Sequence, residues 1–270
     1  SVIRNPDYYC LPCVSWSDVT STANAFRQYP TGFIHGNTGH SVFNLSNEMR
    51  QKLLSMCNNK FYSSAMATLS PTLHFDVGYF NLLPFASKIN ANQLNIVDDL
   101  VRLSKADWSA YERSWEFQSL PILPPSPGPT SSLESSFAAR VRENSDAIAR
   151  TMSLEEENNR LFIDAYGLAD ELSPDVPIDQ ITLTSNPAYR YPNTTKRIWS
   201  EGERNARFCR DSMGELVSYA IGCMMGRYSL DEPGLIYAQS GNVDFDASQY
   251  NRFPADDDGI IPLTDTEWFE

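Results

Sequence analysis

The spacing of apolar positions changes several times along the chain, and each change marks an element. The opening stretch YYCLPCVSWSDVTSTANAFRQYPTGFIHGNTGHSVFNL is rich in aromatic, β-branched and turn residues. With Pro30-Thr31-Gly32 and Asn37-Thr38-Gly39 as punctuation, it reads as short strands joined by loops. From Asn47 the spacing changes, with Met49, Leu53, Met56 and Lys60-Phe61 recurring at three to four positions, Ser46 placed as an N-cap and Glu48 in the first turn. A helix of about 18 residues is predicted there, ending near Ser70-Pro71. TLHFDVGYFNLLPF then returns to a strand-and-turn pattern, and residues 92–117 are helical again, with Leu94, Val97, Val101, Trp108, Tyr111 and Trp115 on one apolar face. The Pro-rich loop 119–132, SLPILPPSPGPTSS, holds five prolines in fourteen residues and continues neither a helix nor a central strand. Residues 133–166 carry the longest helical pattern, closed by Gly167-Leu168, and a last helix is predicted from about Ser212 to Gly226. The pattern as a whole is α+β: a mixed strand and helix segment over residues 1–90, then a mainly α-helical module over residues 91–270.

A chain of 270 residues buries a sizeable core, and its longest uncharged apolar stretch, Leu216 to Met225, is far shorter than the roughly 20 residues that span a bilayer. No membrane partner is expected. The net charge of −13 is the wrong sign for a protein that grips nucleic acid with its whole surface. The charge is unevenly spread, however. Residues 1–90 carry 6 basic and 4 acidic groups, whereas residues 91–270 carry 15 and 30. Within the acidic part, residues 186–227 form an island of 7 basic and 4 acidic groups. Five cysteines, an odd number, fit a reducing cytoplasm better than a disulfide framework. The first residue is Ser rather than Met, and the chain reads as a piece of a longer protein.

Several motifs invite a chemical reading. Asn186-Pro187-Ala188-Tyr189 keeps three residues of the (Asp/Asn/Ser)-Pro-Pro-(Tyr/Phe) loop with which amino-methyltransferases hold a flipped adenine. The second Pro is missing, as is a Gly-rich strand-to-helix turn upstream that would hold S-adenosylmethionine, so a turn ending a strand is the simpler reading. Cys10-Leu-Pro-Cys13 has redox spacing but strand-like or loop-like flanks, and Cys57, Cys209, Cys223, His35, His40 and His74 are not at zinc-ligand spacing. Asp244, Asp246 and Ser248 begin like a calcium loop, but Gln249 and Ala255 occupy the positions of its Gly and Glu. Asp256-Asp257-Asp258-Gly259 reads as a solvated acidic turn. No metal and no cofactor is expected on this chain. Gly222 and Gly226 allow close approach in a packed helix. Arg197, Arg204, Arg207 and Arg210 form either a phosphate-facing row or partners for Glu201, Glu203 and Glu215.

Taken together, WSDVTSTANAFRQYPTGFIHGNTGHSVFNL and LLSMCNNKFYSSAMATLSPTLHFDVGYFNLLPF resemble the target-recognition region of type IIG adenine-specific DNA methyltransferases. In that family an aromatic-Arg loop leads to Gly-x-Ser-x-Phe, then to a helix with Leu-Asn-Ser-Lys, here Cys57-Asn58-Asn59-Lys60. DWSAYERSWEFQSLPIL, LEEENNRLFIDAYGLADELSPDVP, LTSNPAYRY, ELVSYAIGCMMGRYSLDEPGLIYA and FPADDDGIIPL resemble the C-terminal region of the PglX methyltransferases of BREX phage-defence systems. The resemblance implies that the catalytic motif and the S-adenosylmethionine site lie upstream, that double-stranded DNA is the partner, and that this portion alone is inactive. It makes residues 1–90 the recognition region or its C-terminal end. There Arg4, Arg27, Lys52 and Lys60 supply positive groups, and Asn37, His40 and Ser41 lie on a Gly-bounded loop within reach of bases. The Arg197, Arg204, Arg207 and Arg210 row becomes a clamp on the far side of the DNA. The alternative is an interaction scaffold whose acidic helical part recruits other BREX proteins or phage anti-defence proteins.

Overall fold

The computed structural model describes residues 5–20, 24–70, 72, 74–84, 89, 95–123, 132–238 and 243–256. Arg4, residues 124–131 of the Pro-rich loop and Asp257-Asp258-Gly259 lie outside the described residues. The chain divides into two compact units, one made of Ser1–Leu103 with Ala149–Pro177, the other of Ser104–Ile148 with Ile178–Glu270. The strand-rich segment therefore shares its unit with residues from the middle of the chain. The architecture is α+β, a small antiparallel sheet followed by helices.

In the first unit β1 (Cys13–Ser17) is the central strand, paired antiparallel with β2 (Arg27–Tyr29) on one side and β3 (Gly39–Phe43) on the other. Alternation along β1 sends Val14 and Trp16 into a core with Phe26, Leu53, Leu54, Met56, Tyr62 and Met66. Trp16 stacks on Phe26 at 4.8 Å and on Phe80 at 5.0 Å, and its indole N–H donates to the Phe75 carbonyl at 2.8 Å, so the ring is buried without an orphaned donor. Fully burying each large apolar side chain of this kind contributes about 1.5–3 kcal/mol.

The helix predicted from Asn47 forms in two pieces, α1 (Asn47–Cys57) and α2 (Lys60–Leu69). Ser46 caps α1 as expected, its Oγ accepting from Met49 N. The break lies at Asn58-Asn59, where side-chain amides replace the helical ladder. Asn58 exchanges two hydrogen bonds with the backbone of Phe26, at 2.9 and 3.0 Å, and Asn59 caps α2 through Tyr62 N. The expected strand-and-turn stretch after α2 contains a single helical turn, α3 (Val77–Phe80), capped by Asp76.

Helix α4 (Asn95–Ser109) is shorter than the 92–117 pattern, because turns replace it from Ala110 onward. Its apolar pattern is also misleading, since Trp115 is 96% exposed and Trp108 51% exposed. Helix α5 (Leu133–Tyr166) has the predicted bounds. It ends where Gly167 adopts φ 70°, with Leu168 N donating to Ile163 O and Gly167 N to Asp164 O, a paired C-terminal cap that only a residue tolerant of left-handed backbone closes without strain. In the last third of α5, Asn158 and Asn159 are 2% and 3% exposed. Asn158 exchanges hydrogen bonds with the hydroxyl and carbonyl of Ser55, and Asn159 accepts from Lys60 N while donating to Pro174 O. Asn158-Asn159 thus locks the α1–α2 corner to α5, while Asn58-Asn59 ties the same corner to Phe26 and caps α2, a structural use of residues that carry the family resemblance.

In the second unit α6 (Pro187–Arg190) is one turn and α7 runs Glu201–Met224, starting well before Ser212. The cause is a capping box: Ser200 Oγ accepts from Glu203 N while the Glu203 carboxylate accepts from Ser200 N. At the other end of α7 the Tyr228 ring lies on Gly222, where an added Cβ would meet Cδ2 at 2.7 Å. Tyr228, Tyr219, Cys223, Phe117, Leu120 and Ile122 make this unit's core. The small residue expected to admit a backbone therefore admits an aromatic ring.

Candidate nucleic-acid interface

In the first unit, register separates residues that are adjacent in sequence. Ser41 pairs with Ser15, which pairs with Arg27, so these three share one face of the sheet. His40 pairs with Trp16 and belongs to the opposite face. His40 Nε2 lies 3.6 Å from Asp18 Oδ1, and its ring is 5.5 Å from that of Trp16. Asn37 is exposed at the turn before β3. Lys52 pairs with Glu48 at 2.7 Å one turn away in α1. Lys60, the first residue of α2, is half-buried and has no carboxylate within 4 Å among the described residues. Arg27 is half-buried on β2, with Nη1 3.3 Å from the Phe26 carbonyl and its charge felt by Glu155, whose carboxyl burial pushes up to about 7. Burial also raises the Cys13 thiol, which meets His35 Nε2 at 3.1 Å, the opposite of the lowered pKa that a reactive redox thiol needs.

In the second unit the Arg row does not act as one. Arg204 turns back, donating from Nε to Tyr191 O at 3.1 Å and from Nη2 to Asn193 Oδ1 at 3.0 Å. Arg207 pairs with Asp211 at 2.9 Å. Arg210 is exposed on α7, and Arg197 sits before the helix with its guanidinium carbon 3.3 Å from the Trp199 ring centre. The residue that sequence reading missed is Arg190. It is half-buried, 3.0 Å from Glu215, one of the carboxylates expected to pair with the row, and 3.7 Å from Asp211.

Around Arg190 the unit builds an alternation of cations and aromatic rings. Arg113 lies over Trp108 at 4.4 Å and Tyr111 at 5.1 Å, and donates to Thr184 Oγ1. Arg190 lies 5.8 Å from both Tyr111 and Tyr191, Tyr191 lies 5.8 Å from Trp199, and Arg197 covers Trp199. Asp107 joins the pieces by accepting from Thr184 N at 2.6 Å and Ser185 N at 2.9 Å. Stacked guanidinium groups keep N–H donors for phosphate, and exposed cation–ring contacts contribute about 0.5–1 kcal/mol each. The sequence signal was an Arg two residues from an aromatic in YERSW and KRIW, and next to one in YRY.

No protein-family model matches the chain. The adenine-specific methyltransferase BrxX of Escherichia coli O9:H4 (strain HS) is 32% identical to it over 279 residues, which takes in 99% of this chain and 22% of that protein. The adenine-specific methyltransferase PglX of Lacticaseibacillus casei (strain Zhang) is 33% identical over 258 residues, 95% of this chain and 20% of that protein. The chain is related to the PglX and BrxX methyltransferases. It spans about a fifth of the length of these curated relatives.

In a relative of PglX, the Asn186-Pro187-Ala188-Tyr189 turn has to be tested as a place for an adenine amine. Asn186 is 1% exposed. Its Nδ2 donates to Ile178 O at 2.7 Å and Ile181 O at 2.9 Å, and its Oδ1 accepts from Ala188 N at 3.0 Å. The side chain is committed to capping α6 and closing its own loop, so the turn does not fit a flipped base. The sheet-to-helix connection Asn44-Leu45-Ser46 has no glycine to admit S-adenosylmethionine. Neither segment fits the methyl-donor chemistry of the PglX group. Among the described residues, no group of three or more His, Cys, Asp or Glu side chains is placed to hold a metal, and no helix is long and apolar enough to cross a membrane.

Proposed function

We propose that the chain is the C-terminal portion of a longer adenine-specific DNA methyltransferase of BREX phage defence, acting on duplex DNA in the bacterial cytoplasm. Residues 1–90 form the target-recognition region or its end, and residues 91–270 a mainly helical module that braces the DNA. Catalysis and S-adenosylmethionine binding belong to the upstream part of the parent, and this portion alone is inactive. The observation that carries the reading is the match to two adenine-specific methyltransferases over 95–99% of the chain. Exposed Asn37 and half-buried Lys60 and Arg27 supply donors on the recognition unit, and Arg197, Arg210 and Arg113 supply cations on the other. The test is deletion of this portion from the parent enzyme. S-adenosylmethionine binding persists and site-specific adenine methylation is lost. An unchanged methylation pattern refutes the assignment.

A second reading, an interaction scaffold for other BREX or phage anti-defence proteins, draws on Trp115, which is 96% exposed between the buried Ser114 and Phe117. Loss of partner capture on Trp115→Ala, with duplex binding intact, supports it. A single species in sedimentation that binds no defence component rejects it.

A further inference from the structure

Between α6 and α7 the chain makes a projection whose exposure is not explained by folding. Thr194 and Arg197 exchange two backbone hydrogen bonds, N to O at 2.8 and 3.2 Å, closing a two-residue hairpin over Thr195-Lys196. Its base is braced from several sides. Asn193 Oδ1 accepts from Trp199 N at 2.9 Å and from Arg204 Nη2 at 3.0 Å, Arg204 Nε holds Tyr191 O, and the Tyr191 hydroxyl donates to Asp211 at 2.8 Å. Residues 192–198 are nonetheless all exposed. The tip carries Lys196 and Arg197, neither with a carboxylate within 4 Å among the described residues, and the nearest acidic residue in sequence, Glu201, follows only in the first turn of α7. Beside them Ile198 is 81% exposed.

An exposed Ile beside two exposed cations with no carboxylate within 4 Å among the described residues, on a braced hairpin in a chain of net charge −13, calls for an anionic partner that also offers apolar surface. Duplex DNA does so, with phosphates at the groove edge and sugar and base edges within it. We propose that the 193–198 hairpin is a DNA-contacting finger: Lys196 and the Trp199-stacked Arg197 take neighbouring phosphates, and Ile198 packs against the groove wall. The assignment rests on the DNA-methyltransferase reading above, and it adds Lys196 and Ile198 as contact residues. Arg204 becomes a positioning residue that stiffens the finger.

The test is fluorescence anisotropy of the 270-residue chain with a duplex oligonucleotide across a salt series, with melting curves as a check on folding. Removing cations and removing apolar surface have different signatures. Lys196→Ala with Arg197→Ala makes the slope of log K against log salt shallower by about 1.8, since each phosphate contact contributes about 0.9. Ile198→Ser weakens binding by about five-fold at every salt concentration and leaves the slope unchanged. Lys196→Ala alone, which touches none of the bracing contacts, reduces the slope by about 0.9. Wild-type binding with all variants unchanged overturns the finger while the methyltransferase reading stands. A wild-type chain that binds no duplex at low salt overturns DNA contact by this portion, and the finger with it.

Discussion

Replacing Asn186 with Ala removes three hydrogen bonds at once from a side chain that is 1% exposed. The carbonyls of Ile178 and Ile181 each lose one of two donors, keeping the backbone N–H of Ile181 and of Leu183, and Ala188 N loses its acceptor. A net hydrogen bond contributes about 1 kcal/mol and an unpaired buried group costs about 1–3 kcal/mol, so a loss of about 3 kcal/mol is expected. For a chain of this length that is a fall in Tm of about 6–12 °C. Asn186→Asp keeps the acceptor for Ala188 N but points a carboxylate at two carbonyl oxygens, and it destabilises at least as much at neutral pH. Thermal melting followed by circular dichroism measures both. Calorimetry with S-adenosylmethionine shows no heat for wild type or either variant. A Tm within 1 °C of wild type for Asn186→Ala, or tight cofactor binding that the substitution abolishes, refutes the structural role.

Burial raises the Glu155 carboxyl from 4.5 to about 7 against the pull of Arg27, so the folded state holds a proton that the unfolded state has released. The stability this gives is complete below about pH 4.5 and is lost as pH rises toward 7, and Glu155→Gln flattens that part of the profile in urea unfolding. His35, which burial holds below 6.5, works in the opposite sense and loses its contribution as pH falls, so the comparison is between the two profiles. Gly222→Ala brings a Cβ to 2.7 Å from the Tyr228 ring and costs about 1–2 kcal/mol by chemical unfolding after the gain in helix propensity, a penalty that disappears in a Tyr228→Ala background. Tyr62→Phe raises stability by about 1–3 kcal/mol in urea unfolding, because the Tyr62 hydroxyl is buried without a hydrogen-bond partner among the described residues and the substitution removes that unpaired group.

Elements set by local chemistry were legible in the sequence. The Ser46 cap, the bounds of α5 and the Gly167 terminus depend on residues within one turn. The start of α7, expected near Ser212, lies at Glu201, and the capping-box spacing of Ser200 and Glu203 is the local signal for it. What the pattern could not show depends on distant partners. The helix break at Asn58-Asn59 follows from Phe26, 32 residues away, and the adjoining Lys60 N is held by Asn159, 99 residues away. A helical period carried Trp115 onto an apolar face, whereas the chain turns before it and leaves it in solvent. The candidate site behaved likewise. Spacing placed Arg204 and Arg207 in a row, but Tyr191, Asn193 and Asp211 take up their donors. His40 and Ser41, adjacent in sequence, fall on opposite faces of a strand. The cation–ring series is assembled from three separated segments, so only its individual Arg-aromatic pairs could be read from the chain.

The central claim, that this portion of a PglX-type methyltransferase contacts DNA, is tested most directly by titrating the 270-residue chain against duplex DNA at increasing salt. Weak binding at low salt, with log K falling linearly against log salt and no dependence on S-adenosylmethionine, is the predicted result. No binding at the lowest salt, or binding that requires the cofactor, contradicts it.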